Sequence, residues 1–293
     1  MNKFRIKKVG ILAKVGLNFE KKFFLELIDF LKKEKKEVFL DINASAIIDG
    51  AKGLNRDELV NKVDLVITLG GDGTILSAAH SITNHKIVFL GINFGNVGFL
   101  TEIKEKKNVL NILESIFKGN YILDERAMLR ITLYRENKKI KTFLALNDAV
   151  INQGNLARII SLKVDIDRRK VAQFRADGLV IATPTGSTAH SLSAGGPIVH
   201  PSLDALLMTP ICPVTLSSRP ILLPNNENIH IYIETDRKNM PHEIALTIDG
   251  QIHFPLKYGD KISIRKSSKK IYLIRLEKER YYKSLRSKIG WAG

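Results

Sequence analysis

Short apolar runs and amphipathic stretches alternate along the first third of the chain, which is typical of strands followed by helices. Apolar residues recur at helical spacing from Phe19 to Leu31, and Asn18 before them is a candidate N-cap. The predicted elements are strand Val9–Ala13, this helix, strand Val38–Leu40, a brief helix from Asn55 to Val60, strand Asp64–Leu69, helix Thr74–Ile82, strand Ile87–Ile92 and helix Val109–Phe117 ending at Gly119. This alternation predicts a parallel sheet with helices on both faces.

Near residue 121 the pattern changes to the two-residue alternation of strands, punctuated by Pro and Gly-Asp pairs. The predicted strands are Met128–Tyr134, Ile140–Ile151, Ile159–Asp167, Val171–Phe174, Leu179–Ala182, Ile221–Leu223, Ile229–Glu234, Ile244–Ile248, Ile252–Pro255, Lys261–Arg265 and Ile271–Leu276. A non-strand insert is expected near 184–210, and a last helix over Glu279–Ile289. We therefore predict an α/β domain over 1–124, a mainly β domain over 125–276 and a C-terminal helical segment, 277–293.

Composition sets the class of protein. With 293 residues and 44% apolar residues, the chain can form one large or two medium domains. Its single cysteine, Cys212, excludes an intramolecular disulfide and a multi-cysteine metal site. No apolar run approaches the ~18–20 residues that span a bilayer. The apolar run near the N-terminus is too short for a signal peptide, so we expect a cytoplasmic protein with no membrane association.

The net charge of +16 lies entirely at the two ends of the chain. Residues 1–36 carry 11 basic and 4 acidic side chains, residues 257–288 carry 12 and 3, and the middle carries 23 of each. The two ends form either a surface for polyanions or ordinary solvated helix faces. No zinc-finger spacing or RNA-binding signature is present, so we expect no specific nucleic acid partner.

The segment Gly70-Gly71-Asp72-Gly73-Thr74 lies between a predicted strand and a predicted helix. Glycines let a phosphate approach closely, and the helix start offers N–H groups and a positive dipole end. Thr74 could cap the helix or bind a phosphate oxygen, whereas Asp72 would repel phosphate unless it holds a metal ion or accepts a proton. The alternative is a plain capped turn, and the chain contains no Walker A motif.

A second glycine-rich segment, 91–100, follows the next predicted strand. Three glycines there would let a ligand lie flat against the backbone, with Asn93 as a hydrogen-bonding group and Phe99 as a stacking surface. An ordinary strand exit with Phe99 in the core explains the same pattern. The composition alone does not decide between the two.

The densest cluster of hydroxyl and glycine residues, 175–197, again follows a strand. It contains too few apolar residues to form a core and indicates a backbone-rich binding surface for a polar ligand, with Arg175 and Asp177 at its start. The alternative is a capped Ser/Thr-rich turn. Asn147-Asp148 interrupts an apolar strand and could bind a ribose diol or simply end that strand. With no clustered His or paired Cys, a tightly bound structural metal is not expected.

Taken together, these motifs resemble the NAD kinase family, which makes NADP from NAD with ATP or polyphosphate. The resemblance covers nearly the whole chain in the family's order, and the segments that carry it are 70–74, 91–100, 147–148, 175–197, 200–204, 217–220, 249–251 and 285–291. It is most specific in the Thr-Pro-Thr-Gly-Ser-Thr-Ala run and in the Gly-Trp tail. It implies an α/β nucleotide-binding domain, a β-sandwich-like domain and a C-terminal helix that returns to the first domain. It also implies a homodimer or homotetramer, with NAD at the domain junction.

The resemblance further implies residue roles. Asp72 would accept the proton of the adenosine 2′-hydroxyl of NAD, which is substrate and not cofactor. The donor phosphates would lie on Gly70, Gly71, Gly73 and Thr74, with a divalent ion such as Mg²⁺ travelling on the triphosphate. The NAD contacts would be Asp72, Gly73, Asn147, Asp148, Arg158, Arg175, Asp177, Thr185, Thr188, Ala189, His190, Ser191, Leu192, Ser193 and Gln251, with weaker candidates in Asn93 and Phe99.

Two positions depart from the family pattern. The usual Asn-Glu pair is Asn147-Asp148, one methylene shorter, and the usual Thr-Ala-Tyr ends in His190. The Gly-Gly-Asp-Gly-Thr motif also resembles 6-phosphofructokinases and diacylglycerol kinases, so a lipid or sugar kinase is an alternative, as is a non-catalytic NAD- or polyanion-binding relative. The residues do not distinguish ATP from polyphosphate as the donor, and they identify no metal ligand.

Overall fold

A computed structural model describes residues 4–16, 21–48, 50–83, 86–95, 98–104, 108–154, 159–234, 243–278 and 280–290. The chain forms two compact units. The first unit comprises Met1–Glu125 with Ile271–Gly293, and the second comprises Arg126–Lys270. No helix among the described residues is long and apolar enough to cross a membrane. Of the 12 basic residues in 257–288, six belong to the second unit and six belong to the first unit, which also contains the basic residues of 1–36.

The first unit follows the predicted order of strands and helices. Its elements are β1 (Lys8–Ala13), α1 (Lys21–Lys33), β2 (Glu37–Leu40), α2 (Ile42–Ser45), α3 (Arg56–Lys62), β3 (Leu65–Leu69), α4 (Asp72–Ala79), β4 (Val88–Ile92), α5 (Val109–Phe117) and α7 (Arg280–Ile289). Asn55 caps α3 as predicted, accepting the Glu58 N–H at 2.9 Å. Gly119 follows α5 with φ 91°, as the predicted helix stop requires. The candidate cap Asn18 lies outside the described residues.

These strands form a parallel sheet in the order β2-β1-β3-β4. Val9, Ile11 and Ala13 of β1 belong to one apolar cluster with the buried face of α1. On the other face, a Cβ at Gly10 would lie 2.4 Å from Leu59 of α3. Helices therefore cover both faces of the sheet, which confirms the predicted architecture.

The second unit is built mainly of antiparallel strands. They are β5 (Ile122–Arg135), β6 (Lys138–Ala145), β7 (Asp148–Gln153), β8 (Ile160–Ile166), β9 (Arg169–Ala176), β10 (Gly178–Ala182), β11 (Ala205–Ile211), β12 (Ile221–Pro224), β13 (Ile229–Glu234), β14 (Ile244–Ile248), β15 (Ile252–Leu256) and β16 (Lys261–Arg275). A 3-10 turn (Thr185–Thr188) and the short helix α6 (His190–Ser193) interrupt the strands. The boundaries between the units fall inside β5 and β16.

Two sheets of the second unit share one apolar core. One has the order β12-β11-β10-β7-β14-β15, and the other contains β13 between β8 and β16. Alternate residues of β8 and β13 join alternate residues of β7, β10 and β14 in a single buried cluster. This packing is a β-sandwich, as the family resemblance implies.

Three predicted boundaries were wrong. The expected non-strand insert over 184–210 contains β11, which the sequence conceals because Pro210 lies within it, although Pro210 pairs with Leu179. The predicted strand Ile140–Ile151 is two strands, separated at residues 146–147. Conversely, Lys261–Arg265 and Ile271–Leu276 belong to the single long strand β16, which continues through its polar middle.

Candidate functional site

The glycine-aspartate segment lies at the carboxyl edge of the parallel sheet. Strands β3 and β4 are neighbours with Leu69 opposite Ile92, so the turn after β3 and Asn93 after β4 meet at one edge. Gly70 has φ 150°, and a Cβ there would lie 2.5 Å from the Thr74 hydroxyl oxygen. Only glycine permits this turn, which leads directly into α4.

Asp72 is the first residue of α4, and its carboxylate binds the backbone of the second glycine-rich segment. Oδ2 accepts the N–H of Phe99 at 2.8 Å, and Oδ1 accepts the N–H groups of Leu100 and Thr101, each at 3.1 Å. A carboxylate has about four acceptor positions, so one on Oδ2 is not used by the described residues. The carboxylate is half-buried and fixed in direction, with one lone pair left for a further proton or donor.

The glycines of segment 91–100 make room for protein atoms in this structure. A Cβ at Gly98 would lie 2.0 Å from Asp72 Oδ1, and one at Gly91 would lie 2.8 Å from the Thr101 Cα. The Asn93 side chain accepts the Gly95 N–H at 3.0 Å, and the Phe99 ring lies 6.5 Å from the Tyr281 ring. Residue 98 is therefore a glycine because the Asp72 carboxylate occupies the space that a Cβ would need.

The proposed phosphate contacts differ in accessibility. The N-cap of α4 is Gly71, and no side chain caps the helix. Gly73 is exposed, whereas Thr74 is buried beneath Gly70 and does not cap the helix. The exposed backbone of this turn, rather than the Thr74 hydroxyl, is what a phosphate can reach.

The six-stranded sheet of the second unit brings three predicted segments together. Asp148 at the start of β7 lies opposite Ala182 at the end of β10, and Ala149 lies opposite Ile248 at the end of β14. The segments that adjoin these strand ends therefore share one edge: 147–148, 183–193 and 249–251. The sheet register, and not their order in the chain, creates this cluster.

Asp249 holds the Asn147-Asp148 turn from across the sheet. Its carboxylate accepts the backbone N–H groups of Leu146, Asn147 and Asp148 at 2.8, 2.8 and 2.9 Å. Asp249 and Gly250 have φ of 49° and 66° in a hairpin turn that Gln251 closes by donating to the Ile248 carbonyl at 2.9 Å. These bonds explain why the apolar run 140–151 breaks into two strands.

The Asp148 carboxyl is buried in this cluster. Burial raises its pKa from 3.8 to about 7, and the nearby Asp249 carboxylate adds to the rise, while the backbone of His190 opposes it through a hydrogen bond. Asp148 and His190, two predicted NAD contacts, are thus adjacent. A carboxyl with this pKa can donate or accept a hydrogen bond near neutral pH.

The segment 183–193 packs its small residues closely against these turns. Thr183 donates its hydroxyl to the Leu146 carbonyl at 2.6 Å, and a Cβ at Gly186 would lie 2.2 Å from the backbone carbonyl oxygen of Asn147. Thr185 is buried and accepts from Arg126 at 3.3 Å, and Ser191 is buried against Thr209 at 2.9 Å. The more accessible candidates are Thr188, Ala189, His190, Leu192 and Ser193.

Arg175 and Asp177 lie elsewhere on the second unit. They precede β10, whose far end carries Thr183, and six residues of strand span about 20 Å. Within one chain the structure does not bring them to the Asn147-Asp148 edge. Arg158 lies outside the described residues.

A basic cavity lies apart from these segments. A cavity of about 560 Å³ in the first unit is lined by none of the predicted site residues; Arg5, Lys7 and Lys35 are among those that line it. In the described part of the chain, no group of three or more His, Cys, Asp or Glu side chains is placed to hold a metal ion.

Sequence reasoning missed three residues that bind the candidate segments. Asp249 was noted only as part of a motif, Arg126 is a buried arginine in β5, and Arg275 lies at the end of β16. Arg275 donates to the carbonyls of Phe99 and Leu100 at 2.8 and 3.2 Å. An arginine or aspartate inside an apolar stretch was the available signal, because a buried charge requires partners.

Comparison with known proteins agrees with the sequence resemblance. Residues 14–121 match the ATP-NAD kinase N-terminal domain, and residues 146–276 match the ATP-NAD kinase C-terminal domain. The chain is 40% identical to an NAD kinase of Geotalea daltonii over 286 residues, covering 98% of this chain and 99% of the relative. An NAD kinase of Teredinibacter turnerae is 41% identical over 286 residues, covering 97% and 95%.

Solved structures give the same fold. The crystal structure of yeast NADH kinase complexed with NADH superposes with a TM-score of 0.88 at 28% identity, covering 99% of this chain and 89% of that one. An NAD kinase from Archaeoglobus fulgidus in complex with ATP has a TM-score of 0.71 at 24% identity, covering 97% of each chain, which bears on the fold alone. Because both family domains match in order and the relatives align over nearly their full length, the chain belongs to the NAD kinase family.

Proposed function

We propose that this chain phosphorylates the adenosine 2′-hydroxyl of NAD to give NADP, with Asp72 as the proton acceptor. The observation that carries the proposal is the Asp72 carboxylate, which three backbone N–H groups hold and whose Oδ2 has one acceptor position that the described residues do not use. A base of this kind needs a fixed direction and an available lone pair more than a high proton affinity. Family membership supplies the reaction class.

In the proposed step, the ribose 2′-oxygen forms a bond to the terminal phosphorus of the donor. The bond from that phosphorus to the bridging oxygen breaks, and ADP leaves when ATP is the donor. The 2′-hydroxyl proton passes to the Asp72 Oδ2. The backbone at the start of α4, with its N-cap Gly71 and the exposed Gly73 in its first turn, receives the donor phosphates at the positive end of the helix.

A divalent ion fits this scheme as part of the donor. Mg²⁺ prefers oxygen ligands and keeps several waters, so phosphate oxygens of the triphosphate would hold it. It would neutralise charge on the phosphates as the bond to phosphorus forms. We assign it no protein ligand among the described residues.

NAD recognition falls to the second unit in this proposal. Asn147 and the Asp148 carboxyl would bind the hydroxyls of the adenosine part, and the edge formed with 183–193 and Gln251 would line the dinucleotide. Support comes from the shared sheet edge and from the proximity of Asp148 to His190. Of the other contacts that the family resemblance implies, those in the segment that adjoins this edge are Thr185, Thr188, Ala189, Ser191, Leu192 and Ser193. Arg175 and Asp177 lie at the opposite end of β10 within one chain, and Arg158 lies outside the described residues.

The test is NADP formation by the purified protein with NAD, Mg²⁺ and either ATP or polyphosphate, which also identifies the donor. Asp72→Asn should reduce kcat by about 10²- to 10⁴-fold, because it removes the proton acceptor. Glu114→Gln, which alters an exposed carboxylate in α5, is the control and should retain activity. Wild-type turnover by Asp72→Asn, free of contaminating enzyme, would refute the role of Asp72.

Two further expectations belong to this proposal. The family resemblance supports a homodimer or homotetramer, which light scattering of the purified chain would test. The single cysteine supports a cytoplasmic location. The lipid- or sugar-kinase alternative gains no support, because the matching relatives are NAD kinases over nearly the full chain.

A further inference from the structure

The backbone of Phe99–Thr101 lies between two opposite charges of the first unit. On its donor side, the Asp72 carboxylate accepts the N–H groups of all three residues. On its acceptor side, the Arg275 guanidinium donates to their carbonyl oxygens at 2.8, 3.2 and 3.4 Å. Every polar backbone group of this tripeptide is thus bound to one of two side chains.

The geometry links Asp72 to Arg275 through two peptide groups. The peptide between Phe99 and Leu100 points its carbonyl at Arg275 and its N–H at Asp72, and the peptide between Leu100 and Thr101 does the same. Each peptide dipole therefore has its positive end at the carboxylate and its negative end at the guanidinium. Hydrogen bonds in series polarise one another, so this arrangement acts as an ion pair bridged by backbone.

Arg275 is itself rigidly held. Its side chain is 5% exposed and also contacts Glu102 at 3.1 Å and Asp124 at 3.0 Å. Glu102 in turn accepts the Leu276 N–H at 3.0 Å and lies 3.5 Å from Arg280 at the start of α7. Because the guanidinium has five donors in a planar fork, it can serve three carbonyls and two carboxylates together, whereas lysine has three donors on one nitrogen.

We propose that Arg275 is the positioning residue for Asp72 and sets the direction of the carboxylate through the Phe99–Thr101 backbone. The inference rests on the proposed role of Asp72 as proton acceptor. Removing the guanidinium leaves three carbonyls without their donor, the tripeptide relaxes, and the three N–H groups that orient Asp72 move with it. A displacement of about 1 Å in a reacting group reduces the rate by about 100-fold.

The experiment compares Arg275→Met and Arg275→Lys with the wild type. A matched control is Arg135→Met, which removes an arginine bound through two nitrogens to buried Asp260 at 2.8 Å, within the second unit. Arg275→Met should lower kcat by about 100-fold with little change in the KM for NAD. The kcat of Arg275→Lys should lie between that of Arg275→Met and that of the wild type. Arg135→Met should retain the wild-type kcat.

Amide hydrogen exchange supplies a readout independent of activity. In Arg275→Met, the Leu100 and Thr101 amides should exchange faster, and in Arg135→Met they should not. If Arg275→Met does not fold, the kcat of folded Arg275→Lys tests the proposal, because lysine keeps the positive charge and lacks the planar guanidinium. Wild-type kcat in the folded Arg275 variants overturns the inference, whatever their exchange rates.

The two proposals fail in different ways. An inactive Asp72→Asn beside fully active Arg275 variants would overturn only the role of Arg275. A fully active Asp72→Asn would overturn the proposed function of Asp72, and with it any positioning role that depends on that function. A lower kcat in both, with faster exchange at 100–101 in the Arg275 variants, supports both.

Discussion

Asp249 and Asp148 bind each other's backbone in both directions. The Asp249 Oδ1 accepts the Asp148 N–H at 2.9 Å, and the Asp249 N–H donates to the Asp148 carbonyl at 3.0 Å. The pairing fixes the turn, and it also brings a second carboxylate close to a carboxyl that burial has already made difficult to ionise. The structure thus accepts an electrostatic cost at the edge where we place NAD.

That cost predicts a pH-dependent stability. The pKa of Asp148 is about 7 in the fold and 3.8 in its ordinary state, so the folded chain retains a proton that the unfolded chain releases. The contribution of Asp148 to the free energy of unfolding should therefore fall as the pH rises from about 4 to about 7, by about 4 kcal/mol, and then level off. Asp148→Asn removes this contribution, so its stability relative to the wild type should increase across the same interval.

Urea unfolding of both proteins between pH 5 and pH 8 measures the difference. Glu136→Gln, which changes an exposed carboxyl in the turn between β5 and β6, is the control. A difference between Asp148→Asn and wild type that stays constant with pH would show that the fold does not perturb this carboxyl.

Substituting Gly98 should displace the Asp72 carboxylate. A Cβ at residue 98 would lie 2.0 Å from Oδ1, and the short aspartate side chain cannot move away without losing its three N–H partners. Gly98→Ala should therefore lower kcat by about 100-fold. The control is Gly95→Ala in the same segment, where the nearest atom would be 3.8 Å away, and its kcat should stay near that of the wild type. Equal activities for the two variants would contradict the assignment of Gly98.

His190 should be replaceable by the tyrosine that the family usually carries. Its ring is exposed at the start of α6, so a larger aromatic ring can be accommodated. We expect the ring to pack on NAD, so His190→Ala should raise the KM for NAD by about threefold to tenfold. His190→Tyr keeps an aromatic ring at this position, so its KM should stay near that of the wild type. Steady-state kinetics at saturating ATP decide this. A folded His190→Tyr without activity would show that the imidazole has a role of its own.

Local signals in the sequence predicted most elements of the fold. The helix from Asn55 was identifiable because its cap and first turn lie within four residues, and α5 because a glycine ends it. β11 was missed because its assignment depends on pairing with β10 and β12, and Pro210 argues against a strand when read alone. The polar middle of β16 likewise concealed one continuous strand.

The candidate site likewise contains residues that local motifs identify and residues that only the fold brings together. Asp72 and Asn147-Asp148 were identifiable because each belongs to a contiguous motif. The contact of Arg275 with Phe99 joins residues 176 positions apart, and that of Asp249 with Asn147 joins residues 102 positions apart. No local pattern encodes such pairs. They arise because strand order in the sheets places distant chain segments side by side.

The division of the first unit between both ends of the chain has a consequence for biosynthesis. Residues 271–275 form the parallel partner of β4 and include the guanidinium that Phe99–Thr101 requires, yet the ribosome makes them after residues 126–270. At about 5–20 residues per second, that interval is on the order of ten seconds, during which the nascent N-terminal sheet lacks a strand. A chain that ends before residue 275 therefore lacks the guanidinium that binds the carbonyl groups of Phe99–Thr101.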